Sequence, residues 1–190
     1  MIIILIIIAA IIATPFIAAA FTSSTYIIER EAEIGQPVQV VFEYLRHLQN
    51  QSHYNKWVMA DTKTRRVYSG TDGTTGATVS WDSANKNVGK GVQQIIELSD
   101  GKRIDYRLEF EKPFKNIAYT YLVTETIGAG RTRVKWGFTG ERDYALRLVH
   151  ILFNLKKVLG NDIQTSLGNL KAILEKQWSK PADVVYTHHR

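Results

Sequence analysis

The longest apolar stretch of the chain lies at its N-terminus. Residues 1–28 contain no charged side chain, and residues 2–21 are almost entirely Ile, Ala, Leu and Phe, interrupted by Thr14 and Pro15. A helix rises about 1.5 Å per residue, so about 20 residues reach about 30 Å, the thickness of the hydrocarbon core of a bilayer. The pattern predicts a single-pass transmembrane anchor over residues 1–24, which contacts the membrane through residues 2–21.

The competing interpretation of this segment is a cleaved signal peptide. Ala18-Ala19-Ala20 resembles a small-residue cleavage site, but no Lys or Arg precedes the apolar run, and the run is longer than the usual apolar region of a signal peptide. These two features favour a retained anchor. The residues that follow include both Glu29 and Arg30 and show no positive-inside bias, so the sequence leaves the side of the membrane open.

After the apolar run, the pattern changes to alternation of apolar and polar positions, which is typical of half-buried strands. The clearest case is residues 103–110, where Ile104, Tyr106 and Leu108 share one face and charged residues take the other. Residues 117–126 carry apolar side chains on both faces, so their orientation cannot be assigned. Strands are predicted at residues 26–34, 64–68, 77–82, 91–98, 103–110, 117–126 and 131–138.

Helical spacing occurs in two regions of the remaining chain. Two short helices are predicted between Pro37 and Trp57, and one long helix is predicted over residues 144–178, with a kink or a division near Gly160. Residues 179–190 show no pattern and are predicted to form a flexible tail. The apolar stripe of the long helix is Leu146, Val149, Phe153, Leu167, Leu170, Ile173 and Leu174.

The order of these elements predicts an α+β domain over residues 25–178. An antiparallel sheet with one apolar face needs a cover, and the long terminal helix is the one element outside the anchor large enough to supply it. A sheet of this size curls as it twists, so the helix would close a groove with room for a ligand. The residues predicted to line this cavity are Trp57, Val79, Trp81, Tyr106, Leu108, Phe110, Trp136, Phe138 and Phe153.

Composition narrows the chemistry that this domain can perform. The net charge of +6 is spread along the 190 residues without a basic block, so nucleic acid is not an expected partner. The absence of cysteine excludes disulfides, thiolate nucleophiles and cysteine-ligated metals. The five histidines do not gather at one place along the predicted fold, so we predict no catalytic constellation, no metal site and no cofactor.

Several local motifs occur in an order that resembles a known superfamily. They are Pro37 with Val41-Phe42, Lys56-Trp57, Gly76-Ala77 with Ser80-Trp81, Gly89-Lys90-Gly91, Glu109-Phe110 with Pro113-Phe114, Val134 with Trp136, Gly140-Glu141, and the run from Leu167 to Lys171. In this order they resemble the START-like SRPBCC superfamily, and within it the polyketide cyclase/dehydrase family. The resemblance implies a helix-grip fold, in which a curved antiparallel sheet wraps around a long C-terminal helix.

The chain also departs from this family near its second short helix. Members often carry a Trp-rich stretch that ends in Ser-Pro-Trp, whereas here Trp57 is accompanied by Tyr54, Met59 and Ala60. The resemblance therefore leaves the mouth of the cavity in doubt. It also does not define a reaction, because the same fold hosts lipid carriers, cyclases and hydrolases.

The sequence is compatible with three functions. The leading hypothesis is a membrane-anchored protein that binds a small hydrophobic or amphipathic molecule, either lipid-like or polycyclic, between the sheet and the terminal helix. The second is a cyclase or hydrolase that uses polar groups of the same cavity, such as Tyr106 with a histidine. The third is a protein-interaction module with a filled core. The sequence does not indicate an oligomeric state.

A row of basic residues on the outward strand faces is the basis of a separate hypothesis, which concerns contact of the sheet with the membrane. These side chains are predicted to point away from the apolar core and would meet anionic lipid headgroups if the sheet lay near the membrane. A solvated sheet face is the simpler interpretation, because such faces carry charges routinely. The residues are Arg103, Arg107, Arg131, Arg133 and Lys135.

Overall fold

We analysed a computed structural model of the chain, which describes residues 1–113, 115–141 and 143–178. The tail predicted at residues 179–190 lies outside the described residues. The N-terminal helix α1 spans Ile2–Phe21 and contains Pro15. Its length and mean hydropathy are sufficient to cross a membrane, a property that signal sequences share.

Seven antiparallel strands form one sheet, in the order β1-β7-β6-β5-β4-β3-β2. This architecture, closed by a long C-terminal helix, confirms the predicted α+β helix-grip fold. The predicted alternation is confirmed in β5, where Ile104 and Tyr106 are buried. The strands are β1 (Thr25–Ile34), β2 (Arg65–Ser69), β3 (Thr78–Asp82), β4 (Lys90–Ser99), β5 (Arg103–Lys112), β6 (Asn116–Gly128) and β7 (Arg131–Glu141).

The orientation of β6, which the sequence could not assign, is decided by its two neighbours. Leu122 lies opposite Ile104 of β5 and Trp136 of β7, both of which are buried. Ala118, Leu122 and the alternate threonines therefore face inward, while the tyrosines of β6 face outward. The buried threonines satisfy their hydroxyls within the sheet, because Thr120 Oγ1 donates to the carbonyl oxygen of Gly137 at 2.7 Å.

The long C-terminal helix is divided into two, one of the two predicted outcomes, but the division lies six residues before Gly160. It occurs at Asn154, whose φ of 46° is left-handed, a conformation that asparagine tolerates better than most residues. Gly160 lies inside the second helix. The helices are α2 (Val38–Arg46), α3 (Gln51–Tyr54), α4 (Lys56–Met59), α5 (Tyr144–Phe153) and α6 (Leu155–Trp178), with a 3-10 turn at Leu48–Asn50.

The part of the predicted apolar stripe that lies in α6 covers the sheet. Ile163, Leu167, Leu170 and Leu174 of α6 are buried in the same core as the inward side chains of the sheet. Val149 and Phe153 of α5 are exposed, so the prediction that they face the sheet is wrong. The physical reason is the break at Asn154. The helix before it, α5, packs mainly on α1 and touches the sheet where the ring of His150 meets that of Tyr26 in β1.

The C-terminal half of α6 is joined to the end of β1 by polar contacts. Glu175 Oε1 accepts the backbone N–H of Gly35 at 2.8 Å and forms an ion pair of 2.9 Å with Lys171. Lys171 Nζ also donates to the carbonyl oxygen of Glu33 at 2.6 Å. These contacts hold the covering helix against the first edge strand of the sheet.

We expect the Glu175 contact to make stability depend on pH. The hydrogen bond from Gly35 and the neighbouring Lys171 lower the pKa of Glu175 below its ordinary value of 4.5. A carboxyl with a lowered folded-state pKa stabilises the protein above its unfolded pKa, and this stabilisation is lost as the pH falls through the folded value. Glu175→Gln should lower the free energy of unfolding by about 0.5–1 kcal/mol at neutral pH. The difference from the parent should shrink below pH 4.5.

Chemical denaturation of the full chain in detergent, repeated over a pH series, measures this difference. The control is Glu97→Gln, because the Glu97 carboxylate makes no hydrogen bond or ion pair in the part of the chain that the structure describes. A Glu175→Gln variant whose stability deficit stays constant with pH would contradict the assignment.

Gly91 of β4 has no side chain, so the backbone of β5 and the ring of Trp81 can approach it closely. It lies opposite Trp81 of β3 in the sheet register. A Cβ at this position would lie 2.5 Å from the carbonyl oxygen of Glu109 and 2.6 Å from the ring of Trp81. Because one of these atoms belongs to the backbone, movement of a side chain alone cannot relieve the overlap.

We therefore expect Gly91→Ala to lower the free energy of unfolding by about 1–3 kcal/mol, the usual cost of overpacking. Gly168→Ala is the matched control, because Gly168 is exposed in α6 and a Cβ there meets no atom within 4 Å. Alanine favours helices over glycine, so Gly168→Ala should raise stability by up to about 1 kcal/mol. Equal effects of the two substitutions in denaturant titrations would show that the packing at Gly91 is not tight.

Candidate functional site

A cavity of about 280 Å³ lies between the inner face of the sheet and the helices α3, α4 and α6. Its wall is dominated by aromatic and aliphatic side chains from β2 to β7, and a few amide and hydroxyl groups interrupt it. The main apolar lining residues are Leu48, Trp57, Val58, Tyr68, Val79, Trp81, Val88, Leu108, Phe110, Trp136, Phe138 and Leu159. The polar lining residues are Gln51, Asn55, Thr64, Arg66, Asn87, Gln93 and Thr120.

Two groups of aromatic rings shape the cavity. The ring of Trp57 meets that of Trp136 edge to face, with centroids 6.1 Å apart, and lies 6.4 Å from the ring of Phe138. Trp81 and Phe110 form a second edge-to-face pair at 5.8 Å. Such pairs add to the stability that simple burial provides and hold each ring in one orientation. The cavity therefore has a preformed aromatic wall.

The indole N–H groups of these tryptophans already have partners within the protein. Trp136 Nε1 donates to Thr120 Oγ1 at 2.8 Å, and Trp81 Nε1 donates to the carbonyl oxygen of Val88 at 3.2 Å. Trp57 Nε1 donates to Asp162 Oδ2 of α6 at 3.2 Å. The rings thus contribute apolar surface to the cavity, and their donors fix them in position.

Helix α4 carries Trp57, and the first turn of α4 is attached to α6. The side chain of Asn55 caps α4 by accepting the N–H of Trp57 at 3.0 Å. The N–H of Lys56 donates to Ser166 Oγ at 3.0 Å, and Lys56 Nζ pairs with Asp162. This attachment places Trp57 over the sheet.

Gln93 and Thr64 are buried polar lining residues whose side chains have no hydrogen-bond partner among the described residues, and Gln93 has the larger polar group. It lies on the inner face of β4, between the buried Gly91 and Ile95, and it is itself buried. Within the described residues its side-chain amide has no hydrogen-bond partner. By contrast, Gln51 accepts a hydrogen bond from Asn55 at 3.3 Å. Gln93 thus offers an unused donor and acceptor to a molecule in the cavity.

The structure brings seven of the nine predicted site residues to the cavity. Tyr106 is fully buried in the neighbouring core, where its hydroxyl donates to the carbonyl oxygen of Leu45 at 3.4 Å. Phe153 is 66% exposed on α5, so the prediction that it lines the cavity is wrong. The seven are Trp57, Val79, Trp81, Leu108, Phe110, Trp136 and Phe138.

Sequence reasoning missed Gln93 and the helical lining residues Leu48, Gln51 and Leu159. The alternation within β4 carried a signal for Gln93, because it shares strand parity with Gly91 and Ile95. The helical residues carried no such signal. Their position depends on how α3 and α6 approach the sheet, which local periodicity does not encode.

The titratable groups that the enzyme hypothesis requires lie elsewhere. His47 Nε2 lies 3.1 Å from Glu43, and this hydrogen bond lowers the pKa of Glu43. His53 Nδ1 lies 3.0 Å from the hydroxyl of Tyr44. Burial raises the pKa of Tyr106 and keeps its phenol neutral. In the described ranges, no group of three His, Asp or Glu residues has a geometry that would hold a metal ion.

Most of the outward basic row is paired with carboxylates. Arg103 forms two hydrogen bonds with Asp105, at 2.6 and 2.7 Å, and its guanidinium lies 4.3 Å from the centre of the Tyr121 ring. The row is therefore a ladder of surface ion pairs, which reduces its attraction for anionic lipid. The other pairs are Arg107 with Glu109, Arg133 with Glu33 and Lys135 with Glu125.

A larger concavity of about 1210 Å³ lies on the outer face of the sheet, between the start of β1 and the ends of β5, β6 and β7. It is an open groove bordered by charged residues, among them Glu109, Lys112 and Glu141. The inner cavity is the better candidate for an apolar ligand because it is more enclosed and has an aromatic wall.

Solved structures with the same fold have sequences very different from this one. A solution NMR structure of a Thermobifida fusca protein aligns with 80% of this chain and 95% of its own, with a TM-score of 0.61 and 14% identity. A Nitrosospira multiformis protein aligns with 82% of this chain and 100% of its own, with a TM-score of 0.56 and 16% identity. The protein CV1439 from Chromobacterium violaceum aligns with 78% of this chain and 96% of its own, with a TM-score of 0.53 and 16% identity. At these identities the likeness shows the fold alone.

Among curated proteins, no relative matches the chain. A family model does match, and it covers residues 25–175, which include all seven strands and most of α6. The matched range begins where β1 begins and includes every residue that lines the inner cavity. The chain therefore belongs to the family described as polyketide cyclase / dehydrase and lipid transport.

Proposed function

We propose that this protein is a membrane-anchored binding protein whose inner cavity holds a small hydrophobic or amphipathic molecule, lipid-like or polycyclic. The observation that carries the proposal is the aromatic cavity of about 280 Å³ between the sheet and α6. Its apolar wall favours an apolar ligand, because the apolar surface that is removed from water on binding contributes favourably to the binding free energy. Family membership supports a fold that binds hydrophobic ligands.

The size of the cavity limits the ligand. A dry apolar cavity of about 150 Å³ is sufficient to bind benzene. A volume of about 280 Å³ therefore suits a molecule of two fused rings or a short acyl chain. A longer lipid would fit only with part of its length outside, toward the exposed lining residues Ala60, Tyr68 and Asn87.

The polar groups of the wall favour a ligand with at least one hydrogen-bonding group. Gln93 presents an amide without a protein partner at the wall of a largely apolar site, where a hydrogen bond to a polar group of the ligand would strengthen binding. Arg66 is held at the rim by the carbonyl oxygens of Val58 and Asp61. An amphipathic molecule whose polar group meets Gln93 fits this arrangement better than a pure hydrocarbon.

The few titratable side chains in the cavity wall favour ligand binding over catalysis as the function. The titratable side chains among the described lining residues are Arg66 and Tyr68, and burial raises the pKa of Tyr68. Neither forms a pair with a histidine or a carboxylate in a way that would activate a nucleophile or transfer a proton. The empty space also supports binding over an interaction module with a filled core.

The anchor part of the proposal rests on α1. Its side chains are almost all exposed, which is costly in water for a helix of Ile, Ala and Phe and favourable in a bilayer. A short link, Thr22 to Ser24, joins α1 to β1. The cavity would therefore remain close to the membrane surface, where apolar molecules are concentrated.

Filling the cavity tests the ligand site. Val79 lines the cavity on β3, whereas Val67 on β2 is half exposed and lies outside it. Val79→Trp should reduce binding of the two-ring fluorescent probe 1-aminonaphthalene at least tenfold, because the indole would occupy the space that the probe needs. Val67→Trp, the same substitution outside the cavity, should leave binding unchanged.

The measurement is energy transfer from the cavity tryptophans to the probe, with the full chain in detergent. Three of the four tryptophans, Trp57, Trp81 and Trp136, line the cavity, so a bound probe quenches them strongly. Equal binding by both variants would place the probe outside the cavity and would count against the proposed site.

The role of Gln93 is tested with a pair of ligands that differ in one polar group. Gln93→Leu should weaken binding of 2-naphthol by about 1 kcal/mol, the usual net value of one hydrogen bond, and should not weaken binding of naphthalene. Competition against the fluorescent probe measures both affinities. Gln94→Leu, on the opposite face of β4, is the control. Parallel losses for both ligands would mean that Gln93 shapes the cavity without bonding to the ligand.

A further inference from the structure

Helix α5 has its apolar side outward. Ala145, Leu148, Val149, Leu152 and Phe153 follow the spacing i, i+3, i+4, i+7 and i+8, which places them on one face. Leu152 is 58% exposed and Phe153 is 66% exposed, even with α1 in place. A water-facing helix has the reverse arrangement, with charged side chains outward and apolar ones inward.

The polar side chains of α5 are used on its other side. His150 is buried, and its ring centroid lies 4.8 Å from that of Tyr26. Arg147 donates to the carbonyl oxygen of Thr22 at 3.0 Å. Both residues therefore contact the protein, and the exposed face of α5 is left without a charged group.

The position of α5 along α1 shows what surrounds this face. The Tyr144 hydroxyl donates to the carbonyl oxygen of Phe16 at 2.9 Å, and Arg147 contacts Thr22. Phe16 and Thr22 are six residues apart, which corresponds to about 9 Å along a helix. If α1 spans the membrane, α5 lies beside its last two turns. Amphipathic helices insert to about 5–10 Å at the boundary of headgroups and acyl chains, and a helix beside the last two turns of a spanning α1 would lie at this boundary.

The two lysines that follow α5 agree with a position of this helix at the membrane surface. Lys156 and Lys157 follow the break at Asn154 and are exposed, and neither forms an ion pair with any residue that the structure describes. Basic residues at the rim of an inserted apolar face contact the phosphates of anionic lipids. Unlike the ladder of paired arginines on the sheet, these two charges are available to the membrane.

We propose that α5 is an interfacial helix whose apolar face, formed by the exposed Ala145, Val149, Leu152 and Phe153 together with the half-buried Leu148, inserts into the bilayer beside α1. This inference rests on the anchor part of the proposed function. Its consequence concerns the cavity, because α6 begins directly after α5 and Leu159, one turn into α6, is a lining residue. Insertion of α5 holds that end of the cavity at the membrane surface, where an apolar ligand can pass between bilayer and protein.

The test places single labels along the chain, which contains no cysteine of its own. Leu152→Cys, Ile8→Cys and Val67→Cys are each labelled with the environment-sensitive dye NBD. The full chain is then reconstituted into vesicles of phosphatidylcholine and phosphatidylglycerol. All three positions are exposed, so the labels should not disturb the fold. Quenching by lipids brominated along their acyl chains reports contact with the hydrocarbon region.

We expect the label at position 152 to emit at shorter wavelength and to lose more than half of its fluorescence to brominated lipid. The label at position 67, on the strand farthest from β1, should show neither effect. A label at 152 that behaves like the label at 67 overturns the proposal. A blue-shifted label at 152 that brominated lipid does not quench also overturns it, since this result would indicate contact with protein, such as a second copy of the chain.

The label at position 8 separates this inference from the anchor on which it rests. Quenching at position 8 without quenching at 152 means that α1 is inserted and that α5 is not, so the interfacial helix is rejected alone. No quenching at either position rejects the anchor as well. Neither result affects the cavity, which the tryptophan measurement tests independently.

Discussion

The packing of α6 across the sheet is the interaction on which the rest of the structure depends. Ile163, Leu167, Leu170 and Leu174 bury one side of this helix, and its C-terminal half is held to the end of β1 by Glu175 and Lys171. Without this cover, the inner face of seven strands would be exposed to water. The cover does not follow the sheet closely everywhere. Where β2 to β5 curve away, the space under α4 and α6 becomes the cavity.

The character of that cavity follows from how its aromatic residues are held. Each of the three indoles uses its N–H on a partner in the protein, and one of these partners, Asp162, belongs to α6. The same helix therefore closes the cavity and positions Trp57 within it. The result is a largely apolar wall in which the side chains of Gln93 and Thr64 have no hydrogen-bond partner among the described residues. The described lining contains no pair of titratable groups of the kind on which acid–base catalysis depends.

Helices α1 and α5 differ from the covering helix in the side chains that they expose. Both α1 and α5 expose Ile, Leu and Phe side chains, and they contact each other through the carbonyl oxygens of Phe16 and Thr22. Their exposed surfaces join into one apolar region at the end of the domain where β1 begins. In water an exposed apolar region of this kind favours aggregation. The structure thus combines a sheet face of paired charges with a pair of helices whose apolar side chains are exposed.

The amino-acid sequence by itself determined the features that depend on local periodicity. Alternation defined the strands and the inward faces of β1, β5 and β7, and unbroken apolarity defined α1, because each pattern repeats within a few residues. The tertiary structure decided the rest. The faces of β6 required its partners in the register, and Tyr106 was directed to the core beneath α2 although its strand neighbour Leu108 lines the cavity. The apolar spacing of residues 144–178 was correct as a helical signal, but periodicity cannot tell which apolar surface a helix meets. One left-handed residue, Asn154, turned Phe153 from the cavity to the outside.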